Sequence, residues 1–83
     1  MQTFKLHNFK ESSVLHAASW NTDTRDLIII FRSAAVWLYR QVPETIYENF
    51  IAATSSGQFF NVNIRDTYLS QCLYKQGETV VQT

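Results

Sequence analysis

The chain has a single cysteine, a single proline and only two glycines among its 83 residues. Cys72 alone cannot close an internal disulfide, and a lone thiol suits a reducing compartment. Charge of either sign is not in excess, since seven basic and seven acidic residues leave a formal net charge of zero. A protein that holds duplex DNA or a membrane by bulk electrostatics carries a basic surplus. Long duplex DNA is therefore not an expected partner, and any polyanion contact has to come from a few placed cations. Long apolar runs are missing as well. Runs such as Leu27–Phe31 are far short of a bilayer-spanning helix, so no membrane partner is expected. The opening residues MQTFKLHNFKE have neither the basic start nor the long apolar stretch of a signal peptide. A soluble cytoplasmic protein is the expectation.

What the chain does have is apolar and aromatic weight. Hydrophobic residues make up 46% and aromatics 14% of it, enough to furnish a core at a length where folding without disulfides or metals is near its lower limit. Part of that aromatic load is expected on a ligand face or at an interface between copies of a homo-oligomer.

Periodicity then places the elements. Residues 3–9 alternate weakly, with Phe4 and Leu6 on one side and Lys5 and His7 on the other, as an edge strand or an ordered arm. Residues 13–20 read as a strand with Val14, His16, Ala18 and Trp20 on one face. The polar cluster from Asn21 to Arg25 is long enough for a hairpin loop. Leu27–Phe31 is continuous and rich in isoleucine, the pattern of a central strand. After a turn through Ser33, Ala34 and Ala35, a third strand sets Val36, Leu38 and Arg40 against Trp37, Tyr39 and Gln41. Short turns between three successive strands predict an antiparallel meander.

Val42, Pro43 and Glu44 announce a helix, with the proline at its first position and an acid in its first turn. Ile46, Tyr47, Phe50 and Ile51 recur at helical spacing and should cover one face of the meander. Ser55 or Ser56 is placed to cap a second, short helix, in which Phe60 and Ile64 share a face. Residues 68–74 predict a last strand with Leu69 and Leu73 inward. The expected fold is α+β, a small three- to four-stranded antiparallel sheet with one packed helix and a second short helix. Residues 1–11 are an arm or edge strand, 12–74 the domain, and 75–83 a frayed polar tail.

This order of signals resembles the KTSC domain, a short family found at the C-terminus of some lysyl-tRNA synthetases and as small bacterial and phage proteins. The resemblance rests on Ser12-Ser13 before the first meander strand, Phe31-Arg32-Ser33 closing the second, and Trp37-Leu38-Tyr39 followed by Val42-Pro43 and Tyr47. Its most specific part is Ser56-Gly57-Gln58-Phe59-Phe60-Asn61 with Ile64-Arg65 and Tyr68. Two positions depart from the family pattern. Trp37 stands where a tyrosine is usual and loses a phenol oxygen. Ala34-Ala35 replaces a commonly glycine-rich turn, where a left-handed residue would be strained. The resemblance implies a compact α+β domain without established catalytic activity, and RNA binding has been suggested for the family.

The residues themselves point away from catalysis. His7 and His16 lack metal-ligand spacing, the acids are scattered over turns and a helix face, and Cys72 reads as filler of a small core gap. No catalytic residue, metal or cofactor is assigned, and an enzyme is not expected. A nucleotide site has better ingredients. Trp37, Tyr39 or Phe59 would stack on a base, while Arg32, Arg40 and Arg65 would grip phosphate bidentately. Asn61 would read a base edge with its donor and acceptor. Each has a structural counterpart. Trp37 and Tyr39 fit equally well beneath a helix, Arg65 could cap a helix or pair with Asp66 or Glu44, and Asn61 could satisfy backbone groups. The leading reading is a non-catalytic binding module for a nucleotide-type ligand, a short RNA or a small nucleotide signal, with sequestration as one use. The alternative is a protein-interaction or inhibitor module, such as a small phage protein docking on a host complex.

Overall fold

A computed structural model describes residues 4–75. Its elements in chain order are β1 (Phe4–Asn8), β2 (Leu15–Asn21), β3 (Leu27–Phe31), β4 (Val36–Tyr39), α1 (Glu44–Ala52), α2 (Ser56–Asn63) and β5 (Ser70–Tyr74). The strands form one sheet in the order β1-β2-β3-β4-β5, antiparallel throughout. The α+β class holds, with five strands where three or four were expected. β1 is a full member of the sheet rather than a loose arm, pairing over its whole length from Phe4↔Asn21 to Asn8↔Ala17.

Pairing register sorts the side chains into rows that cross all five strands. On one face run His7, Ala18, Ile29, Trp37 and Cys72, and beside them Lys5, Trp20, Leu27, Tyr39 and Ser70. Both helices lie on this face. On the other run Leu6, Ser19, Ile28, Leu38 and Gln71, then Asn8, Ala17, Ile30, Val36 and Tyr74.

Two bulges break the simple alternation. In β2 the register shifts between Leu15 and Ala17, which leaves His16 as the extra residue. Leu15 is thereby completely buried, whereas Val14 and His16 are exposed and not on the core face as their spacing predicted. A second shift between Val36 and Trp37 leaves Leu73 unpaired on β5. Because Ser70 and Cys72 take the helix side, Leu69 and Leu73 are exposed, not inward. Cys72 faces the helix side but on an edge strand beyond the helices' reach, so it is exposed and fills no core gap.

The turn between β2 and β3 explains the one buried polar residue among those described, Asn21. Its Oδ1 accepts from the backbone N–H of Asp23 at 2.7 Å and of Thr24 at 3.1 Å. This local loop of hydrogen bonds replaces the ladder that the chain abandons there. Between β3 and β4 the turn keeps a left-handed residue, with φ 75° at Ala34, so alanine stands in a conformation that favours glycine.

Pro43 sits one position earlier than expected, as the N-cap of α1 with φ −62° and ψ 150°. Its carbonyl accepts from the N–H groups of Ile46 and Tyr47. Glu44 in the first turn meets Lys5 of β1 at 2.7 Å, and Glu48 one turn on lies 3.5 Å from the same ammonium. That pairing holds the Glu44 carboxyl below its usual range and raises Lys5. The Tyr47 hydroxyl donates to the Lys5 carbonyl at 3.3 Å, which fastens α1 over the β1 edge from beneath. α2 begins where Ser55 Oγ accepts from the Gln58 N–H at 3.3 Å, the predicted cap.

Phe60 is the keystone between the layers. Its ring meets Phe31 and Tyr39 edge-on at centroid distances of 5.6 Å and 5.5 Å, and Phe50 at 6.5 Å. Such pairs contribute about 0.5–1.5 kcal/mol each beyond the area they bury. Ile64, one helical turn later, is fully buried, so the expected shared face of Phe60 and Ile64 is the one that locks α2 to the sheet.

Candidate functional site

The short α2 covers only part of the strands beneath it, and a cleft of about 1320 Å³ opens beside it. Its floor is Phe31, Trp37 and Tyr39 from β3 and β4. One wall is α2 with the connections before and after it, carrying Gln58 and Asn61 on the helix and Arg65 and Asp66 in the turn that follows. The other is the loop from β1 to β2, with Lys10, Glu11 and Ser12. The loop stays closed over this end of the sheet because Arg32 clamps it. The guanidinium donates to the carbonyl oxygens of Ser12, at 3.2 Å, and Phe9. It also meets His16 Nδ1 at 3.2 Å. Ser12 Oγ closes the base of the loop by accepting from the N–H groups of Val14 and Leu15.

Four of the residues singled out by sequence, Trp37, Tyr39, Asn61 and Arg65, meet in this cleft. Trp37 is half-buried on the floor, so one part of its ring packs on the core and another remains open. Tyr39 is only 4% exposed and lies beneath α2, so its ring is core and not a stacking platform. Asn61 and Arg65 are exposed on the wall. Arg65 neither pairs with Asp66 or Glu44 nor caps the helix, because no ion pair or side-chain hydrogen bond engages it among the described residues.

The other three lie elsewhere. Arg32 is spent on the loop clamp. Arg40 continues β4 onto the opposite side of the sheet, where its guanidinium donates to Gln71 Oε1 at 3.4 Å. Phe59 turns inward and stacks on Phe50 at 6.0 Å. Sequence had no means of separating these arginines, since their difference lies in which backbone carbonyls and which face each one meets. It also passed over Lys10, Gln58 and Asp66, which the folding back of the loop and the phase of α2 bring to the cleft. Among them only Gln58 carried a signal, by its place in the Ser56–Asn61 signature.

The cleft is electrically balanced. Lys10 stands next to Glu11, and Arg65 next to Asp66. The Tyr39 phenol feels this directly. Burial pushes its pKa above 10.0, Arg65 pulls it down and Asp66 pushes it up. The hydroxyl is thus a neutral donor at ordinary pH, and it has no protein hydrogen-bond partner among the described residues. A ligand here meets donors and acceptors together, with a flat ring below and a free guanidinium at the side.

Comparison with known proteins adds a family. The model of the KTSC domain matches residues 11–68. A protein of Tsukamurella paurometabola is 30% identical over 63 residues, which span 76% of this chain and 94% of that protein. The crystal structure of a KTSC domain protein from Yersinia pestis superposes with a TM-score of 0.79 at 29% identity, covering 87% of this chain and all of that one.

Proposed function

The chain belongs to the KTSC domain family, and from that premise we propose that it is a non-catalytic binding module for a nucleotide-type ligand, a short RNA or a small nucleotide, seated in the cleft over Trp37. The observation that carries this reading is the convergence of an open indole ring, the Asn61 amide and an unengaged Arg65 guanidinium on one cleft. Base stacking on an aromatic ring contributes about 1–3 kcal/mol. The amide offers both a donor and an acceptor to a base edge, and the guanidinium offers a fork to phosphate.

Size and charge narrow the ligand class. The cleft's volume, about 1320 Å³, exceeds the range of about 300–1,000 Å³ usual for single small ligands, which favours two or more linked nucleotides over one. Its balanced charge suits a short ligand read by hydrogen bonds and stacking, not a long polyanion held by counterion release.

Calorimetry with RNA di-, tri- and tetranucleotides alongside mononucleotides tests the proposal. Binding that strengthens with length and falls at least tenfold in Arg65→Ala and Trp37→Leu is the expected result. Absence of heat with every member of the panel, in protein shown to be folded, would overturn it. The protein-interaction alternative draws on a different surface, the helix-free face of the sheet.

A further inference from the structure

Both helices lie on one side of the sheet, and the other side is bare among the described residues. Two rows cross it, Leu6, Ser19, Ile28, Leu38 and Gln71, then Asn8, Ala17, Ile30, Val36 and Tyr74. No member of either row is charged. Arg40 stands at the rim and is hydrogen-bonded to Gln71. On the β1 edge Leu6 is 77% exposed and Phe4 about half exposed, and on the β5 edge Tyr74 is about half exposed. Antiparallel sheets that leave one face to water alternate apolar inward with polar outward. This sheet carries apolar side chains on both faces, and on the bare one they gather at its centre in Ile28, Ile30, Val36 and Leu38.

We infer that this face is the interface of a homodimer, in which two copies stack their sheets back to back. Size, charge and shape select a second copy as the occupant. Five strands about 4.8 Å apart and four to seven residues long make a face on the order of 400 Å² in projection. Two such faces with their standing side chains remove on the order of 1,000 Å² from water, the size at which specific association begins. With Arg40 alone at its rim and no charge in either row, the face offers little to nucleic acid or an acidic surface, and its centre meets its own copy without like charges opposed. Sheets of identical twist also stack in the aligned sandwich geometry. A two-fold axis parallel to β3 lays Ile28 and Ile30 on their counterparts. The same axis brings the rim of Phe4 and Leu6 over the rim of Tyr74 in the other copy, so each copy's projecting edge is covered. The cleft beside α2 lies on the far side of each sheet and stays open, so dimerisation and ligand binding are independent.

Light scattering on the full chain across a concentration series tests this. The expected mass is twice 9.7 kDa. Leu6→Glu and Tyr74→Glu, both at exposed positions, should each keep the circular dichroism of the wild type while weakening the dimer at least a hundredfold. Methyl resonances of Ile28, Ile30 and Leu38 should move as the wild-type dimer dilutes. A wild type that stays monomeric at every concentration overturns the inference, as does a dimer that survives the two substitutions combined. A monomer that binds another protein through this face would assign the surface to a foreign partner and equally overturn it.

Discussion

The indole N–H of Trp20 donates to the backbone carbonyl of Val42 at 2.8 Å, in a fully buried setting. Val42 is where the chain leaves the sheet for α1, and its own N–H donates to the Arg25 carbonyl at 2.8 Å. Trp20 also stacks on Tyr47 at 5.7 Å, so one side chain fixes both the start of the helix and its first buried turn. Trp20→Phe keeps most of the ring but leaves a buried carbonyl unpaired, which costs about 1–3 kcal/mol. Urea denaturation should show that loss as a lower midpoint with an unchanged slope.

Ala34 holds φ 75° in the turn from β3 to β4, where its N–H donates to the Phe31 carbonyl at 2.8 Å. A non-glycine residue there costs about 1–2 kcal/mol. Ala34→Gly should therefore stabilise the protein, by about 0.5–1 kcal/mol after the greater freedom of glycine in the unfolded chain is deducted. Thermal unfolding reads it as a higher Tm. An unchanged or lower Tm would mean the turn is not strained.

Arg32 tests the difference between clamp and ligand group. Its fork serves Ser12, Phe9 and His16, so Arg32→Lys preserves the charge yet cannot reach all three acceptors. The expected loss is about 1–2 kcal/mol. Hydrogen exchange should quicken at the N–H groups of Phe9, Val14 and Leu15 and stay unchanged in α2.

Tyr39 and Tyr47 both have raised pKa values, chiefly through burial. A group whose folded pKa is raised contributes stability that is whole below its unfolded value and fades as pH climbs through the folded one. Stability should accordingly fall above pH 10.0, the unperturbed tyrosine value. Within the cleft, Arg65→Ala should raise the Tyr39 pKa further and Asp66→Asn should lower it. Ultraviolet titration in a Tyr47→Phe background separates the two phenols.

Much of the fold was legible because the signals were periodic. The run Leu27–Phe31, the spacing of Ile46, Tyr47, Phe50 and Ile51, and the serine cap of α2 each correspond to an element. What failed did so at single residues. His16 is a bulge, and one extra residue inverts every inside–outside assignment on its far side, while the expected phase of β5 was one residue out, since Ser70 and Cys72 take the helix side. Nothing local marks them, since their cause is the fit between neighbouring strands. Half of the candidate site was legible for a similar reason. Trp37, Asn61 and Arg65 point where strand and helix phase send them, whereas Arg32 is diverted by a loop that only the tertiary structure folds back.

The sheet's spatial order is the same as its order along the chain, and this bears on how the protein is made. A ribosome releases β1 first, and each later strand finds its neighbour already present beside it. Each strand from β2 onward meets one already released, and contacts between neighbours in sequence close quickly. The exception is β5, which must wait for both helices before it returns to β4. The last step of assembly is therefore to add an edge to a sheet already built, leaving the nascent chain few occasions to pair wrongly.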